Sequence, residues 1–335
     1  MLIKMPAPYT PKTTGTCLVD ELSSHIHNKV ILTTGVSPGS LGAFFVSAIA
    51  AANPSLLILA GRDPAKVQQT AFDLAKSHPG VKTRTLRLDL GSLQAVHEAA
   101  AEVNSWGDVP AIDVVVNNAG IMGVEYGLTP DGVERHFGTN HLGHWLFTNL
   151  IMGKVLKARE PRVVSVSSSG HRVSPVRWDD LDFHGGTNYN KWRAYGQSKT
   201  ANILMAVSLA EKLGKKGLLA FSVHPGVIMD TNLISHLDIQ NELDGMAEVD
   251  KVMGNKEGWP KETGGYDLKT HDEGVATYVF AAFHPSLKDH NGAYLLDSRV
   301  ADPWTGEIKP WATNPVEAER LWKLSERLVG QEFSY

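Results

Sequence analysis

Apolar runs and helix-period segments alternate along most of this chain. Strand candidates lie at 30–34, 56–60, 83–88, 113–117, 162–166 and 218–223. Several ("LLILA", "VVV", "LLAFSV") are continuous rather than alternating, which suits parallel strands covered on both faces. Helix-like segments lie between them, near 41–52, 64–77, 92–105, 130–157 and 195–213. The chain ends with a helix ("EGVATYVFAAF"), a strand ("AYLLD") and a last helix ("PVEAERLWKLSERLV"). Strand–helix alternation with short connections predicts an α/β fold: a doubly wound, Rossmann-type, mostly parallel sheet with helices on both faces. The reading divides the chain into an N-terminal extension, 1–27, and a single domain, 28–335. Two stretches break the alternation. Residues 170–192 are polar and rich in Gly, Asp and Trp, and 228–270 have no clear period. Connections of that length are functional or disordered, and 228–270 is expected to be a substrate-side lid insertion.

Composition narrows the class. With 42% hydrophobic and 20% charged residues, the 335-residue chain buries a sizeable core and is not disordered. A net charge of −4 and a pI near 6.4 argue against a nucleic-acid or membrane-surface partner. Cys17 is the sole cysteine, so no intramolecular disulfide forms, and a cytoplasmic location is expected. The first residues, "MLIKMPAPYTPKTTGT", lack the apolar core of a signal peptide. The apolar stretch 41–60 is split by Asn53-Pro54-Ser55. A helix over 41–52 reaches about 18 Å, short of the ~30 Å hydrocarbon core, so no membrane span is expected.

Candidate chemistry begins at "VILTTGVSPGSLG", where Gly35, Gly39 and Gly42 follow a strand and precede a helix. A strand-to-helix turn points backbone N–H groups at an anion, and glycine allows positive φ and close approach of phosphate. The spacing, G-x3-G-x2-G, differs from G-x-G-x-x-G, and by itself it leaves a plain glycine-rich turn open. Next, "LILAGRD" places Arg62 where dinucleotide folds carry an acid for the ribose 2′-OH; an Arg there suits a 2′-phosphate. A solvated Arg beside Asp63 is the alternative. Asp89 closes the third strand, within reach of an adenine amino group. In "AYGQSKTAN", Tyr195 and Lys199 sit four apart on one helix face. An ammonium there favours the phenolate and is expected to lower the tyrosine pKa, suiting it to proton transfer.

The order of motifs carries more than any one of them. "TG…G…G", "DVVVNNAG", "FGTNHLGHWLFTN", "RVVSVSSSGHR", Y-x-x-x-K and "HPG" follow one another, each at a strand end or in a helix. This resembles the short-chain dehydrogenase/reductase superfamily. "GVERHFGTNHLGHW" followed by "SSSGH" is similar to its retinol-dehydrogenase-like branch, and "TGVSPGSLG" with the chain's ending to fungal members of it. The resemblance spans roughly 20–330. It implies an NADP(H)-dependent oxidoreductase moving a hydride between nicotinamide and the carbonyl or alcohol of a mostly apolar small molecule, with a place in fungal secondary metabolism. Ser168 would hydrogen-bond the reacting oxygen, Tyr195 would give or take its proton, and Lys199 would bind the nicotinamide ribose. Asn140 would hold a water of the proton relay. The implied cofactor set takes in Gly35, Ser37, Gly39, Ser40 and Leu41 at the phosphates. Arg62, Asp89 and Leu90 would stand at the adenosine, and Asn117, Ala119 and Gly120 along the sheet. Pro225, Gly226, Val227 and Thr231 would meet the nicotinamide end, with Tyr195 and Lys199. Two spacings depart from the superfamily: the last loop glycine comes one residue late, and "PGVIMDT" is one residue longer than P-G-x-x-x-T.

Other readings stand beside this one. An epimerase or dehydratase-like enzyme would keep the cofactor without net NADPH consumption, and a nucleotide-sensing protein would keep only the binding. His141 and His144 share a helix face but lack a carboxylate or Cys at ligand spacing, so no metal is expected. His171 reads as a structural hydrogen-bonder. Trp178, Phe183, Met229, Trp259 and Trp304 are candidates for an apolar substrate pocket, or for core and lid packing. The segments 133–157 and 195–213 could offer a helix-pair face for a homodimer.

Overall fold

Hydrogen bonds join the apolar runs into one sheet. The computed structural model describes residues 9–255 and 267–335. The strands are β1 (Val30–Thr34), β2 (Leu56–Gly61), β3 (Thr83–Arg87), β4 (Val114–Asn117), β5 (Arg162–Val166), β6 (Leu219–His224), β7 (Tyr294–Leu296) and β8 (Arg299–Val300). Their spatial order is β3-β2-β1-β4-β5-β6-β7-β8. Every neighbour pair is parallel except the closing β7–β8 hairpin. Strand order reverses between β1 and β4, so a crevice opens at their carboxyl ends, the usual place for a ligand in such sheets.

The helices are α1 (Gly15–Glu21), α2 (Ser23–Ile26), α3 (Leu41–Ala50), α4 (Pro64–Ser77), α5 (Leu93–Ser105), α6 (Gly143–Val155), α7 (Lys191–Leu213), α8 (Ile239–Val252), α9 (His271–Phe283), α10 (Pro310–Thr313) and α11 (Pro315–Val329). Strand side chains alternate between two cores. Ile31, Val114, Val116 and Val164 face α3, α4 and α9, whereas Leu32, Val115 and Val163 face α5, α6 and α7. Both faces of the central strands are therefore apolar, which explains their uninterrupted hydrophobic runs. α1 and α2 belong to the first core through Leu18, Leu22 and Ile26.

Local chemistry sets the helix starts. Asp63 caps α4 ahead of Pro64, Ser92 caps α5, and Thr270 with Glu273 forms a capping box on α9. Asn190 caps α7, which starts four residues before the predicted 195. The expected helix over 130–157 differs most. Gly132, at φ +77°, closes a turn onto Thr129, and Leu128 bridges Glu134, so regular helix begins later. It opens with a π turn, Phe137–Leu142, that contains Asn140; such turns concentrate at functional sites.

Part of the expected lid, 228–270, falls outside the described residues; within them it carries α8. α11 packs along α7, with Ala318, Leu321 and Leu324 meeting Ala201 and Leu204. The tail continues over α6: Trp145 meets Trp322 and Phe333 edge-on at 5.0 and 5.3 Å, and the Tyr335 hydroxyl donates to Asn149 at 2.7 Å. The surface proposed for helix pairing is thus covered by the chain itself along these contacts.

Candidate active site

The glycine-rich turn is built by mutual close approach. Gly35 has φ +72°, and a Cβ there would fall 2.7 Å from the Ala119 Cα. A Cβ on Gly42 would fall 2.5 Å from the Gly35 carbonyl oxygen and 2.6 Å from Asn118 Nδ2. Larger residues at either position would push α3 off the turn. Ser40 caps α3, accepting from Ala43 N, and donates to the Gly35 carbonyl at 2.8 Å. Asn118 donates to the carbonyls of Thr34 (2.8 Å) and Gly35 (3.1 Å), and Tyr278 of α9 donates to its Oδ1 at 3.1 Å. Thr34, at the end of β1, accepts from Asn118 N and Ala119 N, both at 3.0 Å. Its hydroxyl proton goes to His144 Nε2 at 2.8 Å, because His144 Nδ1 already donates to the Asn140 carbonyl at 3.0 Å. Thr34, Asn118, Tyr278 and His144 are not among the site residues that the sequence predicts, although Thr34, Asn118 and His144 sit within the quoted motifs.

A cavity of about 540 Å³ opens at the carboxyl ends of the strands. Gly35, Ser37, Ser40 and Leu41 line it at the α3 N-terminus, where helix N–H groups face an anion. Arg62, Asp89 and Leu90 line it at the β2 and β3 ends, joined by Lys66 in the first turn of α4. Asp63 is committed to capping Ala65 N and Lys66 N. Arg62 and Lys66 are exposed. Ala119 and Gly120, and Pro225, Gly226, Val227 and Thr231, line the middle. Three predicted residues do not line it: Gly39, Asn117 and Asn140. Gly39 takes φ +77° in the turn. Asn117 is buried and donates to Thr148 of α6 at 2.9 Å. Asn140 spends its amide on Ile121 N, the Ile121 carbonyl and Ser198 Oγ.

Ser168, Tyr195 and Lys199 converge on this cavity. Ser168 follows β5 and accepts from Gly170 N at 3.0 Å. Gly170 has no room for a side chain: a Cβ would lie 2.9 Å from Tyr195 Cε1. One turn beyond Tyr195, Lys199 Nζ stands 5.5 Å from the phenol ring centroid and donates to the Val166 carbonyl at 3.1 Å. Burial pushes the Tyr195 hydroxyl up to about 12, against the downward pull of its hydrogen bond with Ser168. Burial also pushes Lys199 down to about 8. In this geometry burial outweighs the hydrogen bond with Ser168, so the phenol is protonated at neutral pH. The apolar end of the cavity is walled by Met122, Val173, Trp192, Met229, Leu233 and Met246. Of the aromatic candidates, Trp178 donates to Glu317 on α11, Phe183 is buried beneath Arg177, and Trp304 is 93% exposed. Trp259 lies outside the described residues. His171 is structural: Nδ1 donates to the Ser168 carbonyl and Nε2 accepts from Lys309 N.

The glycine turn at a helix N-terminus, the cradle closed by Ala119 and a cavity lined from the β2 and β3 ends to the segment after β6 fit a dinucleotide. Two hydroxyls meeting beside a lysine at its far end complete an oxidoreductase site on a doubly wound fold. Comparison with known proteins agrees. The family model for short chain dehydrogenases matches residues 29–180. An oxidoreductase, calI, of Penicillium decumbens is 33% identical, covering 93% of this chain and 90% of its own. Human retinol dehydrogenase 14 is 32% identical over 91% and 87%. A solved structure from Mycobacterium paratuberculosis, of an uncharacterized protein, is 28% identical and superposes with a TM-score of 0.66 over 92% of this chain and 96% of that one. The chain belongs to the short-chain dehydrogenase/reductase family, hydride-transfer oxidoreductases acting on CH–OH or carbonyl groups. Among the described residues no helix is long and apolar enough to cross a membrane.

Proposed function

We propose that the protein is an NADPH-dependent carbonyl reductase for a mostly apolar small molecule. The observation that carries this reading is the meeting of the Ser168 and Tyr195 hydroxyls between a dinucleotide cradle and an apolar wall. Bound NADPH supplies the hydride. As charge develops on the substrate oxygen, Ser168 donates a hydrogen bond to it and Tyr195 transfers its proton. Burial keeps this phenol protonated at neutral pH, so it has a proton to give to the developing alkoxide. Lys199 offers an ammonium to the ribose and to the phenolate left behind. Asn140 acts as a positioning residue, fixing Ile121 against Ser198. NADP(H) is favoured over NAD(H) by Arg62 and Lys66 at the β2 end, since neither makes an ion pair among the described residues and a 2′-phosphate would meet both. A homodimer through α6 and α7 would have to displace α11 and the tail, so a monomer, or pairing through another face, is the better reading.

The test is reduced-nicotinamide consumption, read by its ultraviolet absorbance, across apolar ketones and aldehydes. Tyr195→Phe should lower kcat by roughly 10²–10³ or more with little change in NADPH affinity. A Tyr195→Phe variant that keeps reductase activity would remove the proton-transfer role.

A further inference from the structure

His224 ends β6 and opens the "HPG" segment, yet the chemistry above makes no use of it. Its ring lines the cavity beside Ser168 and Ser169. Ser169 N donates to His224 Nδ1 at 3.4 Å. A backbone N–H can only donate, so Nδ1 carries no proton and the ring's proton sits on Nε2. No protein group among the described residues accepts from Nε2, and it is not among the buried unpartnered atoms, so it opens onto the cavity. The ring stays neutral: burial, with Lys269, His171, Arg172 and Lys199 nearby, pushes it down to about 3. With Nδ1 taken by Ser169 N and the proton on Nε2, the neutral ring offers the cavity a donor only. It stands on the substrate side, because its partner Ser169 directly follows the serine that receives the reacting oxygen.

Resting on the carbonyl-reductase reading, we propose that His224 is a specificity residue whose Nε2–H binds a second oxygen of the substrate. The preferred substrate class is then a ketone bearing a carbonyl or hydroxyl on the neighbouring carbon, with apolar groups beyond. A substrate without that oxygen leaves a partly buried donor unmatched, which is how a polar site rejects the analogue lacking the group.

Benzil and deoxybenzoin test this, because they share one apolar skeleton and differ by one oxygen. The readout is the ratio of their kcat/KM values, and comparing this ratio between variants cancels the diketone's greater intrinsic reactivity. His224→Phe should lower the ratio about tenfold, whereas His224→Gln, which keeps a donor near Nε2, should stay within about threefold of the natural protein. An unchanged ratio in His224→Phe, or a loss in His224→Gln as large as in His224→Phe, would overturn the proposal. A separate readout needs no turnover. Long-range proton–nitrogen spectra of the labelled protein with NADPH should show His224 protonated at Nε2, with that nitrogen shifting when benzil is added. A proton on Nδ1, or an Nε2 signal unmoved by saturating benzil, overturns it too. Failure to reduce either ketone while the Nε2 shift is present would count against the reductase reading and leave the assignment of His224 supported.

Discussion

Replacing His144 with leucine should loosen the cofactor bed from behind. The imidazole is buried at 1% exposure and bridges the Asn140 carbonyl in the π turn to the Thr34 hydroxyl at the end of β1. Thr34 in turn receives Asn118 N and Ala119 N, and Ala119 is the wall against which Gly35 is packed. Leucine fills similar volume but can neither accept from Thr34 nor donate to Asn140. A buried group left unmatched costs about 1–3 kcal/mol. Two such groups, one a carbonyl with a second lone pair, make the loss about 2–4 kcal/mol, set against a total near 5–15 kcal/mol. Urea unfolding followed by tryptophan fluorescence reads that loss directly. Nucleotide affinity reads the other half of the argument, because a purely structural deletion far from the bed would leave it alone. If about 1.4 kcal/mol of the strain is felt only when nucleotide is bound, NADPH should bind about tenfold more weakly. His144→Gln, which can still accept from Thr34, should recover part of both. A His144→Leu protein within about 0.5 kcal/mol of the natural one, with equal NADPH affinity, would mean that the ring is only filler.

Removing both cations at the β2 end, Arg62→Ala with Lys66→Ala, should raise the KM for NADPH roughly 10–100-fold while barely moving that for NADH; equal effects on the two would sink the 2′-phosphate assignment. Gly170→Ala should lower kcat far more than it lowers the melting temperature, because the added methyl meets the Tyr195 ring 2.9 Å away; unchanged turnover would show that the phenol has room to shift. Acid should unfold the protein early. His144 and His171 are held neutral to about 4, and His141 and His224 to about 3, all by burial. Below the unfolded value near 6.5 the unfolded chain takes up protons that the fold refuses, so stability present above that pH is lost as pH falls. The loss is about 3 kcal/mol per histidine by pH 4. Urea midpoints that stay flat from about pH 7 to pH 5 would contradict it.

The sheet was legible because burial on both faces gives strands such as β2 and β4 nearly continuous apolar runs. Side-chain direction was less so. Asn117 was read as a cofactor neighbour, but its parity in β4 matches Val115, which faces α6, and it bonds Thr148 there. Asn118, one step on and past the strand, is the residue that reaches Gly35. Alternation along "DVVVNNAG" contained that answer. Trp192 was missed because α7 was started at 195. Once Asn190 is taken as the cap, Trp192 and Tyr195 fall three apart, on the same helix face. Lys66 was equally readable as the residue one turn beyond Arg62. Tyr278 was not: it arrives from a helix 160 residues from its partner Asn118, and no local pattern marks the meeting.

The late glycine in the turn shows why spacing is a weak signature and steric need a strong one. Gly35 must be bare because Ala119 is behind it, and Gly42 must be bare because the Gly35 carbonyl and Asn118 are behind it. Those two demands fix where β1 ends and where α3 may run, whatever lies between. The additional residue falls between Gly39 and Gly42, just past a turn in which Ser40 N donates to the Ser37 carbonyl and Gly39 supplies the positive φ. Across this loop the segment after β6 lays Asn232, whose amide donates to the Pro38 carbonyl at 2.7 Å. A longer glycine loop is thus met by a post-β6 segment that is itself one residue longer than the usual pattern. The two departures meet at one hydrogen bond, so the segment bearing Leu233 and Met246 is tied to the turn that faces the phosphates.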